Sequence, residues 1–147
     1  MNKIIIGSDH AGFELKEKIK EYLNELDYKV EDLGTNSAEA VDYPVYGKKV
    51  AEKVAKTNST GILVCGSGIG ICMSANKIKG IRAALCYDEY TAKTARQHNN
   101  ANIICLGART PSAKNYKKII KTFLTTEFSK EQRHHKRVKQ MDALWIY

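Results

Sequence analysis

Short apolar runs alternate with longer stretches of helical periodicity from one end of this sequence to the other. Ile4–Ile6, Lys29–Leu33, Ile62–Cys65, Ala83–Cys86 and Ile103–Leu106 have the length of strands rather than helices. After the first of them, Phe13, Leu15, Ile19, Tyr22, Leu23 and Leu26 recur at helical spacing. Residues 40–55 read as a helix whose start is marked by Asp42 and Pro44, and a glycine-rich turn at 66–70 opens another that runs to about Lys77. Asp88 caps a helix over 88–97, and 112–125 and 130–140 supply the last two. Strands joined through helices must run parallel, because a parallel pair needs a long crossover. The expected fold is therefore α/β: a three-layer αβα sandwich around a five-stranded, Rossmann-like parallel sheet. A length of 147 residues suits a single domain spanning 1–147.

In such sheets ligands bind beyond the carboxyl ends of the strands. That directs attention to Ser8, Asp9 and His10, to Gly66–Gly70, and to Gly107–Thr110. His98 falls at the end of the fourth helix, just before the fifth strand, and joins them only with help from a loop or a neighbouring subunit.

Charge narrows the partner. The net charge is +8, but residues 1–60 carry −2, residues 61–110 carry +4 and residues 111–147 carry +6. An excess in the second half suggests an anionic ligand there. Nineteen of the 24 cations are lysines, which suit solvated helix faces, so the five arginines are the informative ones. Nucleic-acid binding is disfavoured, because the basic segment 111–140 holds only Tyr116, Phe123 and Phe128 as aromatics, and these read as packing residues. No apolar stretch reaches the ~20 residues of a membrane span, and the N-terminus lacks a signal-peptide pattern, so a cytoplasmic location is expected. The four cysteines, Cys65, Cys72, Cys86 and Cys105, form no CxxC pair and sit far in sequence from His134 and His135, so neither a metal site nor a disulfide framework is expected. Three of them fit as small apolar residues.

Cys65 is different. Cys65-Gly66-Ser67-Gly68-Ile69-Gly70 closes a strand and opens a helix, so free backbone N–H groups converge where an anion, or the cysteine thiolate, is favoured. Position 71 is Ile71, which removes the GxGxxG dinucleotide fingerprint and the arginine of a cysteine phosphatase, and no Lys-Ser/Thr follows the glycines as in a P-loop. A turn that only lets a helix approach its strand would use the same glycines. His10 and His98 stand beside polar neighbours, Asp9 and Asn99, and histidine is the side chain suited to proton transfer near neutral pH. His98 as a helix C-terminal residue is the alternative. Arg133 and Arg137, four residues apart, project from one helix face and suit a phosphate, with Arg109 as a third candidate; pairing with Glu131 and Asp142 would serve equally. His134 and His135 are expected to face solvent. Tyr43 marks a helix start or lines a sugar pocket, and Trp145 anchors the C-terminal tail.

The sequence resembles the type B ribose-5-phosphate isomerases, in the family that includes bacterial galactose-6-phosphate isomerase subunits. The resemblance runs through GSDHAGFELK at 7–16, DYP at 42–44, CGSGIG at 65–70, ANK at 75–77, His98-Asn99, LGAR at 106–109 and the Arg133/Arg137 pair. It implies a cofactor-free, metal-free aldose–ketose isomerase that interconverts ribose 5-phosphate and ribulose 5-phosphate through a cis-enediolate. By resemblance Cys65 is the base, His98 opens the furanose, and the amides of Gly66, Ser67, Gly68, Ile69 and Gly70 face the enediolate. Asp9, His10, Tyr43, Asn99, Arg109, Arg133 and Arg137 bind the rest, the arginines on the phosphate. One branch of the family places a glutamate base where this chain has Ile71, so the cysteine branch is implied. Ser67 stands where many members carry threonine and leaves room for longer sugars, so galactose- or allose-6-phosphate isomerisation is the second reading; an anion or RNA binder is the third. The resemblance also implies a homodimer with shared active sites, or a tetramer of such dimers.

Overall fold

Runs of aliphatic residues supply the middle of the sheet, and their alternation decides which side chain faces which layer. In a computed structural model describing residues 3–145, the chain forms five strands and six α-helices. They are β1 (Lys3–Ser8), α1 (Phe13–Glu25), β2 (Lys29–Asp32), α2 (Tyr43–Thr57), β3 (Thr60–Cys65), α3 (Ile69–Ala75), β4 (Ala83–Leu85), α4 (Glu89–Asn99), β5 (Ile103–Gly107), α5 (Tyr116–Thr125) and α6 (Gln132–Asp142). All strand pairs are parallel, in the order β2-β1-β3-β5-β4. Ile4, Ile6, Ile62, Val64, Ile104 and Leu106 point to one face, where they meet α1, α4 and α5 through Leu15, Ile19, Ala92, Ala95, Ile119 and Phe123. Ile5, Leu63, Cys65, Ile103 and Cys105 point to the other, against Val50, Ala51 and Val54 of α2 and Ile71 and Ala75 of α3. This is the period-2 alternation of a sheet buried on both sides. The three-layer αβα architecture is as expected from the sequence.

Boundaries differ from expectation by a few residues, most at the starts of two helices. The helix expected over 40–55 begins at Tyr43, with Asp42 extended before it and Pro44 in the first turn, where a missing N–H is harmless. The helix expected over 112–125 is a 3-10 turn, Pro111–Asn115, followed by α5. Hydroxyl contacts between Thr110 and Ser112 (2.6 Å) and from Thr110 to the Gly107 carbonyl (2.8 Å) hold that segment tight against the end of β5. The Asp88 cap is present: its carboxylate accepts from the Thr91 amide at 2.7 Å and Thr91 returns the bond.

The strand order positions the site. From β1 the chain moves outward to β2, then crosses to the other side of β1 to place β3. The connections leave β1 and β3 in opposite directions, which opens a crevice beyond their carboxyl ends. Asp9 follows β1 there, and Cys65 closes β3.

Candidate active site

Glycines bring the loops of the crevice together. A β-carbon at Gly12 would lie 2.5 Å from the Val64 carbonyl oxygen, so only glycine lets the loop after β1 lie against β3. In that loop Asp9 is buried, and its Oδ1 accepts from the Gly12 amide at 3.1 Å. The His10 Nδ1 accepts from the Val41 amide at 3.1 Å, tying the loop to the segment that leads into α2.

Cys65 is 4% exposed, and its Sγ accepts a bond from the Gly68 amide at 3.1 Å. Gly68 reaches that position with a φ of +79°, in the left-handed region that favours glycine. The Ser67 Oγ accepts from the Ile69 amide at 3.1 Å, while the amides of Ser67 and Gly70 meet no acceptor among the described residues. The sulfur thus receives one loop amide, and the free amides beside it are the kind of donors that can stabilise an oxyanion. Tyr43 lies over the loop: a β-carbon at Gly70 would come within 2.6 Å of its ring. From β5, the Ala108 amide binds the Cys65 carbonyl at 2.8 Å and the Arg109 amide binds the Gly66 carbonyl at 2.9 Å. Arg109 and His10 both line a groove of about 750 Å³, with Lys18, Lys114, Glu14 and Tyr116 among its other walls. Thus Asp9, His10, Tyr43, Arg109 and the run from Cys65 to Gly70 share one end of the sheet.

The other cysteines are unlike Cys65. Burial pushes the Cys86 thiol up to about 12 and Cys105 well above the ordinary thiol range. Cys72 is drawn down by a bond from the Cys105 thiol, against its burial. Ile71 is fully buried against α2 and offers no chemistry. Among the described residues, no three His, Cys, Asp or Glu side chains gather as metal ligands, and no helix is long and apolar enough to cross a membrane.

His98, Asn99, Arg133 and Arg137 are not at that end. The segment after α4 lies at the amino ends of the strands: the Asn100 carbonyl accepts from Arg82 ahead of β4 at 3.0 Å, and the Asn102 carbonyl accepts from Gly61 at the start of β3 at 2.8 Å. From Gly61 to Cys65 the strand climbs about 13 Å. Within one chain, therefore, His98 and Cys65 sit at opposite edges of the sheet. The left-handed cap of α4 is Asn100, not His98.

Helix α6 packs on α4 and brings a residue that sequence reading placed in solvent. His134 is 4% exposed, and its ring lies 4.3 Å from that of His98 at an interplanar angle of 7°. The signal was present: Val138, four residues on, is buried, which puts His134 on the same inward stripe. His135 is half-buried, with its Nε2 2.8 Å from the Ser129 carbonyl oxygen and its ring on Phe128. Arg133 pairs with Glu131 at 2.7 Å in the open, while Asp142 pairs with Arg82 at 3.0 Å, leaving exposed Arg137 without a carboxylate among the described residues. Trp145 is half-buried on the wall of a cavity of about 520 Å³ that also includes Asn99 and Met141.

Comparison with known proteins converges on one group. Residues 4–141 match the family described as Ribose/Galactose Isomerase. A probable ribose-5-phosphate isomerase B of Mycoplasma genitalium is 45% identical over 141 residues, covering 94% of this chain and 92% of the relative. The ribose-5-phosphate isomerase B of Escherichia coli is 41% identical over 145 residues, covering 98% and 97%. Among solved structures, the Clostridium thermocellum ribose-5-phosphate isomerase B superposes with a TM-score of 0.93 at 45% identity, covering 97% of this chain and 96% of that one. The Mycoplasma genitalium enzyme solved with bound ribulose-5-phosphate superposes with a TM-score of 0.91 at 43% identity, covering 96% and 94%. With that match spanning β1 to the last helix, the chain belongs to the ribose/galactose isomerase family.

Proposed function

We propose that this protein is a cytoplasmic aldose–ketose isomerase that interconverts ribose 5-phosphate and ribulose 5-phosphate. The observation that carries the reading is the buried Cys65 sulfur, held by the Gly68 amide beside free loop amides at the sheet's switch point. The relative solved with ribulose-5-phosphate supports the substrate.

The reaction begins with ring opening. His98 takes the proton from the anomeric hydroxyl and returns a proton to the ring oxygen as the bond between C1 and that oxygen breaks. The Cys65 thiolate then removes the proton on C2, and the electron pair moves to the C1 carbonyl as an enediolate forms. The same thiol delivers its proton to C1 while the proton of the C2 hydroxyl passes to the oxygen on C1, which leaves a ketone at C2, a hydroxyl at C1 and the thiolate restored. Negative charge builds on the enediolate oxygens, where preorganised amides such as those of Ser67 and Gly70 are worth most. Asp9 and His10 orient the sugar hydroxyls, Tyr43 closes the side of the loop, and Asn99, Arg109, Arg133 and Arg137 hold the far end, the arginines on the phosphate.

His98 and Cys65 act on one substrate only if they come from different copies. The reading therefore includes a homodimer in which the carboxyl end of one sheet faces α4 and α6 of the other. Turnover of ribose 5-phosphate in a coupled assay tests the function, and a chain that leaves ribose 5-phosphate unchanged would overturn it. The short Ser67 side chain favours six-carbon phosphates as a second reading. Side-by-side turnover of ribose 5-phosphate, allose 6-phosphate and galactose 6-phosphate separates the two.

A further inference from the structure

The His98–His134 stack is not explained by packing alone. The rings are almost parallel, and the His134 Nε2 is buried without a hydrogen-bond partner among the described residues. The charged groups facing it are Arg133 and Arg137 on its own helix, Glu131 just ahead, and His98 across from α4. Burial holds His134 below the ordinary imidazole range, and the neighbouring His98 and Arg133 act in the same direction against Glu131. It is therefore a neutral ring lying flat on a ring that must exchange protons, and a neutral face accepts an imidazole or an imidazolium, where a second cation would repel it.

We propose that His134 is the positioning residue for His98, its flat ring fixing the plane in which the His98 nitrogens meet the anomeric hydroxyl and the ring oxygen of the sugar. The proposal rests on the reading that His98 opens the furanose. His98 stands in the last turn of α4, where a lone side chain would sweep through several rotamers. The stack removes that freedom on one side and leaves the ring edge for substrate. Misplacement of such a group by an ångström costs about 100-fold in rate.

The experiment separates ring opening from enolisation. Ribulose 5-phosphate is an open chain, because its C5 oxygen carries the phosphate and cannot close onto C2. Exchange of its C1 proton with deuterated solvent needs the base but no ring opening. In the full-length protein, His134→Leu is expected to lower kcat on ribose 5-phosphate about tenfold or more, while deuterium wash-in at C1 of ribulose 5-phosphate stays near the wild-type rate. His134→Phe, which keeps a flat neutral ring, is expected to restore most of the lost turnover. Retained exchange also shows that the variant is folded. The proposal is overturned if His134→Leu turns over ribose 5-phosphate like wild type, if exchange falls in parallel with turnover, or if the phenylalanine variant is as slow as the leucine one. His98→Asn serves as the reference, with turnover lost and exchange kept. Full turnover by His98→Asn would remove the ring-opening reading and this proposal together, whereas a failure confined to position 134 leaves that reading standing.

Discussion

At the carboxyl end of the strands, Cys65 and Asp9 are buried and fixed by backbone amides, and glycines at 12, 68 and 70 make the approach possible. At the opposite edge, His98, Asn99, Arg133 and Arg137 are side chains on helix surfaces, and both arginines stand in the open. The first region is the kind of site that stabilises charge developing on a few atoms, where donors must be placed before the reaction starts. The second uses reach and orientation, which suit a phosphate several bonds from the reacting carbons and a ring oxygen released from C1 before they react. On the proposed reading, the contrast makes one chain the carrier of two halves of a site rather than of one site with outliers.

Replacing the base is the most damaging test of that division. Cys65→Ala is expected to lower both turnover of ribose 5-phosphate and deuterium exchange at C1 of ribulose 5-phosphate by roughly 1,000-fold. An alanine variant that exchanged normally would move the base elsewhere. Complementation tests the geometry itself. Cys65→Ala and His98→Asn chains are each expected to be inactive on ribose 5-phosphate, yet refolded together they form mixed dimers with one intact site. Random association then returns about one quarter of the wild-type rate. No recovery on mixing would place both halves within one chain's reach.

At the far edge, Arg137→Ala is expected to raise KM for ribose 5-phosphate by about 10- to 100-fold, the worth of one charge-assisted bond, with deuterium exchange at saturation little changed. A loss in kcat alone would contradict a phosphate-holding role. The smallest effect on turnover concerns the frame of the reacting end, where the readout is stability. There the Lys16 side chain is fully buried and pairs with Asp32 and Glu17, and Lys20 joins Asp32 at 2.9 Å. Burial opposes the Asp32 charge, but these lysines and the Gly34 amide prevail and hold its carboxyl below the usual range. A depressed carboxylate stabilises the fold above its unfolded value of about 3.9 and loses that contribution as pH falls through the native value. The urea midpoint of the wild type should therefore fall more steeply below about pH 4 than that of Asp32→Asn. Near neutrality the variant should be about 3 kcal/mol less stable, since Lys16 keeps only Glu17.

Much of the fold is readable from the sequence because the aliphatic runs in β1, β3 and β5 can only be buried strands, and the glycines after β3 mark a turn. The Cys65 loop stands out for the same reason: local residue types determine local backbone. Two polar residues whose burial escaped notice, Lys16 and His134, depend on what lies across from them. Lys16 occupies an ordinary helical position until Asp32 is folded against it. His134 sits among six Lys, Arg and His residues between 130 and 139, a composition that reads as a wet surface unless Val138 is used to set the phase of the helix. Residue chemistry is visible in one dimension, but a partner contributed by another element is not.

The placement of β5 between β3 and β4 has a consequence for how the chain is made. Among the described residues the one strand paired with β4 is β5, while β1, β2 and β3 pair with one another before β5 joins β3. A ribosome releases residues in order, so the Cys65 loop can fold onto a three-stranded sheet while Ala83–Leu85 still wait for Ile103–Leu106 to emerge. The half of the proposed site carried by the strands is thus born early. On the proposed reading, the half carried by α4 and α6 follows later, after β5 has joined the sheet.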